Sequence, residues 1–169
     1  LNLKVTVNLN DKNNVKRISQ MTLKTNQFNL TTKRYSENDI IKILNNKNFL
    51  TLSYKALDRF GDLGTVGLVI LEKCNKNIMV DTFLMSCRAI GRNIEDAMFF
   101  SIYNLLKKKN FDKISSTYLK TNKNLQVENF YEKFKFKVLK IDKNFKTYEI
   151  LIKHFRPNNL KHIEINYEK

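Results

Sequence analysis

Ile78-Met79-Val80-Asp81-Thr82-Phe83-Leu84-Met85 runs into Ser86-Cys87-Arg88-Ala89-Ile90-Gly91-Arg92-Asn93 and on into Ile94-Glu95-Asp96-Ala97-Met98. The first eight residues are rich in β-branched and large apolar side chains and predict a strand. Beyond the loop, Ile94, Ala97, Met98, Ser101, Ile102, Leu105 and Leu106 recur at the spacing of one helix face. Lys107 to Lys109 close that helix with cations, which suit its negative end. A strand, a polar loop and a long helix therefore form the centre of the fold.

Upstream, Phe49 to Leu57 and Thr65 to Leu71 are also strand-like. Gly61-Asp62-Leu63-Gly64 reads as the turn between them, and Cys74 to Asn77 as the turn into Ile78–Met85. Such spacing predicts an antiparallel meander. Leu1 to Leu9 alternates apolar and polar residues, which predicts a half-buried strand. Asp11 to Asn14 offers caps for a helix bearing Val15, Ile18 and Thr22, and Ser36 with Asp39 forms a capping box before Ile40, Ile41 and Leu44. Between those helices lies a polar knot, Thr25-Asn26-Gln27-Phe28-Asn29-Leu30-Thr31-Thr32. Downstream, the pattern predicts a strand over Lys113–Leu119 and an amphipathic helix over Asn122–Phe134. A hairpin near Phe136–Ile141 and Tyr148–Lys153 and a last strand over Ile163–Tyr167 complete it. The result is an α/β chain with a mixed, mostly antiparallel sheet flanked by helices.

The 169 residues suit one domain with a real core. Apolar residues at 42% and charged residues at 28% exclude a disordered chain. No apolar run approaches the roughly 20 residues of a bilayer span. The chain opens on Leu1 with no signal-peptide pattern, so the expectation is an internal or C-terminal piece of a longer cytoplasmic protein. Cys74 and Cys87 are too few for a disulfide framework, and no zinc-ligand spacing occurs, so no metal is expected. A net charge of +15 attracts polyanions: CoA phosphates, acidic carrier proteins or nucleic acid. The basic residues are dispersed and no recognition motif appears, which disfavours nucleic acid.

The order of elements resembles that of the GNAT acyltransferases. The resemblance implies the GNAT acyl-CoA N-acyltransferase fold, in which the loop after the central strand holds the CoA pyrophosphate at a helix N-terminus. Two registers fit the family's Gln/Arg-x-x-Gly-x-Gly/Ala loop. One starts at Arg88, with Gly91 fourth and Asn93 last; the other starts at Ile90, with Asn93 fourth and Glu95 last. The second aligns Ala97-Met98-Phe99 with the family's apolar helix start and is preferred. By resemblance, Met85, Arg88, Gly91, Arg92, Asn93 and Ile94 border the acyl-CoA or a carrier-bound phosphopantetheine. Glu95 would repel a diphosphate there and favour the single phosphate of a carrier arm; the alternative is a solvent-facing acid in the first turn.

The helix with Asn124, Tyr131-Glu132-Lys133-Phe134-Lys135-Phe136 resembles the family's Asn-then-Tyr helix, with Lys135 in place of a glycine. The resemblance implies that Asn124 touches the pantetheine arm and that Tyr131 protonates the leaving thiolate. A core aromatic is the other reading of Tyr131. Arg17-Ile18-Ser19-Gln20-Met21-Thr22, the Thr25–Thr32 knot, Asp58-Arg59-Phe60-Gly61-Asp62 and Asp81 to Arg92 look like the C-terminal domain of FkbH-like proteins. That resemblance implies acyl transfer to or from a pantetheine thiol, with an upstream HAD-type phosphatase domain, an acyl carrier protein as partner and a glyceryl group as one cargo. The alternatives are N- or O-acylation of a sugar or amine from acyl-CoA and a non-catalytic module that docks a carrier protein. Cys87 reads either as an acyl-enzyme nucleophile or as a small buried hydrophobe. Asp81 and Asp58 read either as general base or as structural acceptors. The Thr25–Thr32 knot reads either as a pocket lining or as a capped helix end.

Overall fold

A computed structural model describes residues 3–158 and 160–168. Leu1 and Asn2 of the predicted first strand lie outside the described residues. The order is β1 (Leu3–Leu9), α1 (Val15–Lys24), α2 (Glu37–Asn45), β2 (Phe49–Asp58), β3 (Gly61–Cys74) and β4 (Asn77–Met85). Then come α3 (Ile94–Lys107), β5 (Lys113–Leu119), α4 (Phe130–Lys133), β6 (Lys137–Ile141), β7 (Phe145–Leu151) and β8 (Ile163–Glu168). The eight strands form one sheet in the order β6-β7-β5-β4-β3-β2-β1-β8. Among the described residues, only β1–β8 and β4–β5 pair in parallel.

Alternation along the central strands feeds two apolar layers. Ile18, Met21, Ile40 and Leu44 of α1 and α2 pack on Leu68, Ile70 and Leu84. The opposite face joins Val69, Leu71, Phe83 and Met85 to Ala97, Met98, Phe99 and Ile102 of α3. Gly67 permits the close approach of α3: a Cβ there would lie 2.8 Å from Met98 Sδ and 3.2 Å from Tyr54 Cβ. The Ser36–Asp39 capping box is present, with both reciprocal bonds made.

Two local expectations need correction. The β2–β3 turn is Arg59-Phe60, because Asp58 already pairs with Gly61. Asp58 Oδ1 accepts the Phe60 N–H at 2.8 Å and tightens the chain there. Gly61 to Gly64 belong to β3, with Gly64 at φ 65 beside a register shift. The predicted Asn122–Phe134 helix is instead a 3-10 turn, Leu125–Val127, followed by the single turn α4. Asn124 and Asn129 leave the helical region, and Asn124 uses its side chain as a backbone acceptor at 2.8 Å from Thr121 N. Lys135, at the position of the family's glycine, has φ 64.

Candidate active site at the end of β4

β4 and β5 pair only from Asn77↔Lys113 to Val80↔Ser116. At Asp81 the β3–β4 register skips a residue, and such a bulge bends its strand. β5 meanwhile continues along β7 to Leu119. The strands thus open into a V with arms Asp81–Met85 and Thr117–Leu119.

The chain itself fills that V. Leu30 N–H donates to the Phe83 carbonyl at 3.1 Å, and Met85 N–H donates to the Phe28 carbonyl at 2.9 Å. On the other arm, Leu119 N–H donates to the Leu30 carbonyl at 2.8 Å. Leu30 is fully buried, and Phe28 meets Phe130 edge-on at 5.1 Å. Expelling these two side chains would forfeit about 3–6 kcal/mol of apolar burial. The segment is a structural part of the sheet, not a loose flap.

Several sequence-predicted site residues hold this filling in place. Asn124 is wholly buried and donates to the Asn29 and Leu119 carbonyls, each at 2.9 Å. Its amide faces the chain's own backbone, where the resemblance had placed a pantetheine arm. Asp81 accepts from the Tyr35 hydroxyl at 2.8 Å and the Thr82 hydroxyl at 2.9 Å, and pairs with Lys33. It anchors the stretch that follows the filling, which is the work of a structural acceptor. Burial, then the bond to Asp81, pushes the Tyr35 phenol well above its ordinary pKa. Asp58, with its side chain 1% exposed, pairs with the Arg92 guanidinium, so Arg92 ties the loop to β2.

Tyr131 lies in the core. Its ring packs among Phe99, Phe130, Phe136 and Tyr148. The residue is 0% exposed, and its hydroxyl is buried beside the Ser116 side chain. Burial drives its phenol far above the ordinary tyrosine value.

The loop before α3 keeps much of its hydrogen bonding to itself. Ser86 N–H donates to Val66, Ala89 N–H to Ser86, Ile90 N–H to Cys87 and Arg92 N–H to Ala89. Gly91 and Asn93 both have positive φ, 81 and 58, and Asn is among the side chains that tolerate this best. Ile94, the first residue of α3, is fully buried. Glu95 is not the solvent-facing acid of the simpler reading: its side chain is 14% exposed and shares Lys133 with Asp96, at 3.3 and 3.2 Å. A CoA diphosphate at this helix start would meet two carboxylates already sharing one ammonium. Together with the filled V, that donor set does not fit acyl-CoA in the manner the resemblance implied.

What stays open is the end of the V. A cavity of about 720 Å³ lies between α1, the Thr25–Phe28 turn, Met85–Cys87 and the Asn122-Lys123 turn. Cys87 lines it and is exposed, so the buried-hydrophobe reading does not describe this thiol. Arg88 is exposed beside it, with Nε 3.5 Å from Ser86 Oγ. Part of the Thr25–Thr32 knot, Thr25 to Phe28, does line a pocket.

This fold has counterparts among solved structures. A GNAT-family acetyltransferase from Staphylococcus aureus superposes with a TM-score of 0.64 at 12% identity, covering 88% of this chain and 99% of that one. The chain has the GNAT fold. The spermidine N-acetyltransferase of Vibrio cholerae gives 0.65 at 14% identity, covering 88% and 94%. A ribosomal-protein alanine N-acetyltransferase from Escherichia coli gives 0.63 at 9%, again covering 88% and 94%. No protein-family model and no curated protein matches the sequence. At such identities the GNAT likeness carries architecture alone.

Sequence reasoning missed that Phe28, Asn29 and Leu30 occupy the V, and missed Arg17, Lys24 and Lys123 around the cavity. The density of amides and hydroxyls in Thr25–Thr32 was the only signal for the first. Nothing in local pattern signals the second. Among the described residues no grouping of His, Cys, Asp and Glu has metal-site geometry, and no helix is long and apolar enough to cross a membrane.

Proposed function

We propose that the domain transfers an acyl group to or from the thiol of a carrier-borne phosphopantetheine arm presented in the cavity at the end of β4. The observation that carries this reading is the exposed Cys87 thiol on the cavity wall, directly beyond the parting of β4 and β5 in a GNAT fold. Cys87 thiolate attacks the thioester carbonyl, a new C–S bond forms, and the arm departs as a thiolate that takes up the proton Cys87 released. Transfer to an acceptor reverses the step and returns the thiol.

The support for a carrier arm over CoA is that Glu95 and Asp96, at the start of α3 and outside the cavity lining, disfavour the diphosphate that CoA would lay along that helix end. The FkbH-like blocks extend the proposal to an upstream HAD-type phosphatase domain and to glyceryl as one such cargo. A second reading is a non-catalytic docking module for a carrier protein. The filled V and the buried Tyr131 favour it.

The test incubates the domain with acyl-phosphopantetheinyl carrier protein and, separately, with acetyl-CoA, followed by intact mass and turnover. Acyl transfer requires an adduct that disappears in Cys87→Ala. Carrier binding without adduct or turnover supports the docking module. No interaction with either thioester overturns both readings.

A further inference from the structure

We infer that the cavity beside Cys87 binds a small organic anion, a carboxylate or phosphate monoester, through Arg17, Lys24 and Lys123; only the use of that anion as cargo rests on the proposed acyl transfer. The lining carries these three cations, the amides of Gln20, Asn26, Gln27 and Asn122, and no carboxylate. Among the described residues no acidic side chain lies within salt-bridge distance of any of the three cations, although other lysines of this chain do find partners. Unpaired cations are common in a chain of net charge +15; what marks the cavity is that three of them line one space with no carboxylate.

Arg17 is the fixed element. Its Nη1 donates to Gln20 Oε1 at 2.8 Å and its Nη2 to the Thr65 carbonyl at 3.0 Å. Both acceptors are neutral, so they orient the guanidinium without cancelling its charge. Burial and then the like charge of Arg88 hold its pKa below the ordinary value. An anion supplies a counter-charge, and a planar or tetrahedral oxyanion matches the guanidinium's donors. Lys24 and Lys123 come to the lining from two separate elements, α1 and the turn after β5. The side-chain amides supply partners for hydroxyl or carbonyl groups on the rest of the ligand.

Two sources share this chemistry: a free small acid, and the phosphate of the arm itself. Calorimetric titration of the unmodified domain with 2-phosphoglycolate, phosphopantetheine, unphosphorylated pantetheine and glycerol separates them. No thioester is present, so this result is independent of whether acyl transfer occurs. The expected outcome is saturable binding of an anionic probe, weakened by salt, with glycerol and pantetheine inert. A Lys24→Gln/Lys123→Gln variant, altered at two exposed positions that keep the Arg17 contacts, should bind about tenfold more weakly. Bound anion should also slow alkylation of Cys87 while leaving Cys74 unaffected. Binding of phosphopantetheine alone assigns the site to the arm's phosphate; binding of 2-phosphoglycolate assigns it to a free acid. No binding of either anionic probe, equal binding of neutral and anionic probes, or unchanged affinity in the double variant would overturn the inference.

Discussion

The side-chain amide of Asn124 donates to the backbone carbonyl of Asn29 at 2.9 Å, joining positions 95 apart in sequence. The same amide nitrogen reaches the Leu119 carbonyl, and the amide oxygen accepts from Thr121 N–H. One buried side chain thereby clamps the filling of the V to β5. Asn124→Ala should lower stability by about 2–4 kcal/mol, because it strands buried donors and acceptors. Asn124→Asp should be worse near neutral pH, since a carboxylate would face two carbonyl oxygens. Urea midpoints of the three proteins check this order.

Alkaline pH should loosen the fold. Tyr35, Tyr54, Tyr131 and Tyr148 are all raised above the ordinary value of 10.0, mainly by burial. The native state therefore holds protons that the unfolded chain releases. The stabilisation is complete below pH 10 and declines as pH climbs toward the folded values. Thermal midpoints between pH 8 and 11 should fall steeply at the upper end. Tyr131→Phe should flatten that fall and change neutral-pH stability by no more than about 1 kcal/mol, since the buried hydroxyl meets only the Ser116 side chain. Undiminished turnover in that variant would exclude the phenol as an acid.

Arg92→Ala should cost about 2–4 kcal/mol, because it leaves the buried Asp58 carboxylate without its counter-charge. Asp58→Asn should cost less: the amide oxygen can still accept the Phe60 N–H, and no charge remains buried. Chemical denaturation of both variants decides whether Arg92 serves the loop's structure.

Gly67→Ala should destabilise by about 1–3 kcal/mol through overpacking against Met98 and Tyr54. Met98→Ala in the same chain should recover part of the loss. A double-mutant cycle on denaturation midpoints measures the coupling.

Period and capping made most of the architecture legible. Alternation marked the strands, the spacing of Ile94 to Leu106 marked α3, and Ser36 with Asp39 marked the start of α2. The Arg59-Phe60 turn was hidden because Gly61 and Gly64 look like turn residues, while an Asp58 side-chain bond decides the matter. The expected helix after β5 dissolved because Asn124 serves a tertiary clamp. The site was less legible still. A sequence names Tyr131, Asn124 and Asp81, but it does not say which way each faces. Burial of the phenol, occupation of the V by Phe28–Leu30 and the meeting of α1 with the turn carrying Lys123 around one cavity are long-range facts. Local pattern has no access to them.

The parallel pairing of β1 with β8 begins at Leu3 and Ile163. One border of the sheet is therefore finished only when residues some 160 positions apart meet. Closing so long a loop is entropically slow, and proteins dominated by such contacts fold slowly. Until β8 docks, the outer backbone groups of β1 stay unpaired, an open template for strands of other molecules. Recombinant preparations lacking residues 163–168 should for that reason clump during refolding, even where the rest of the sheet assembles.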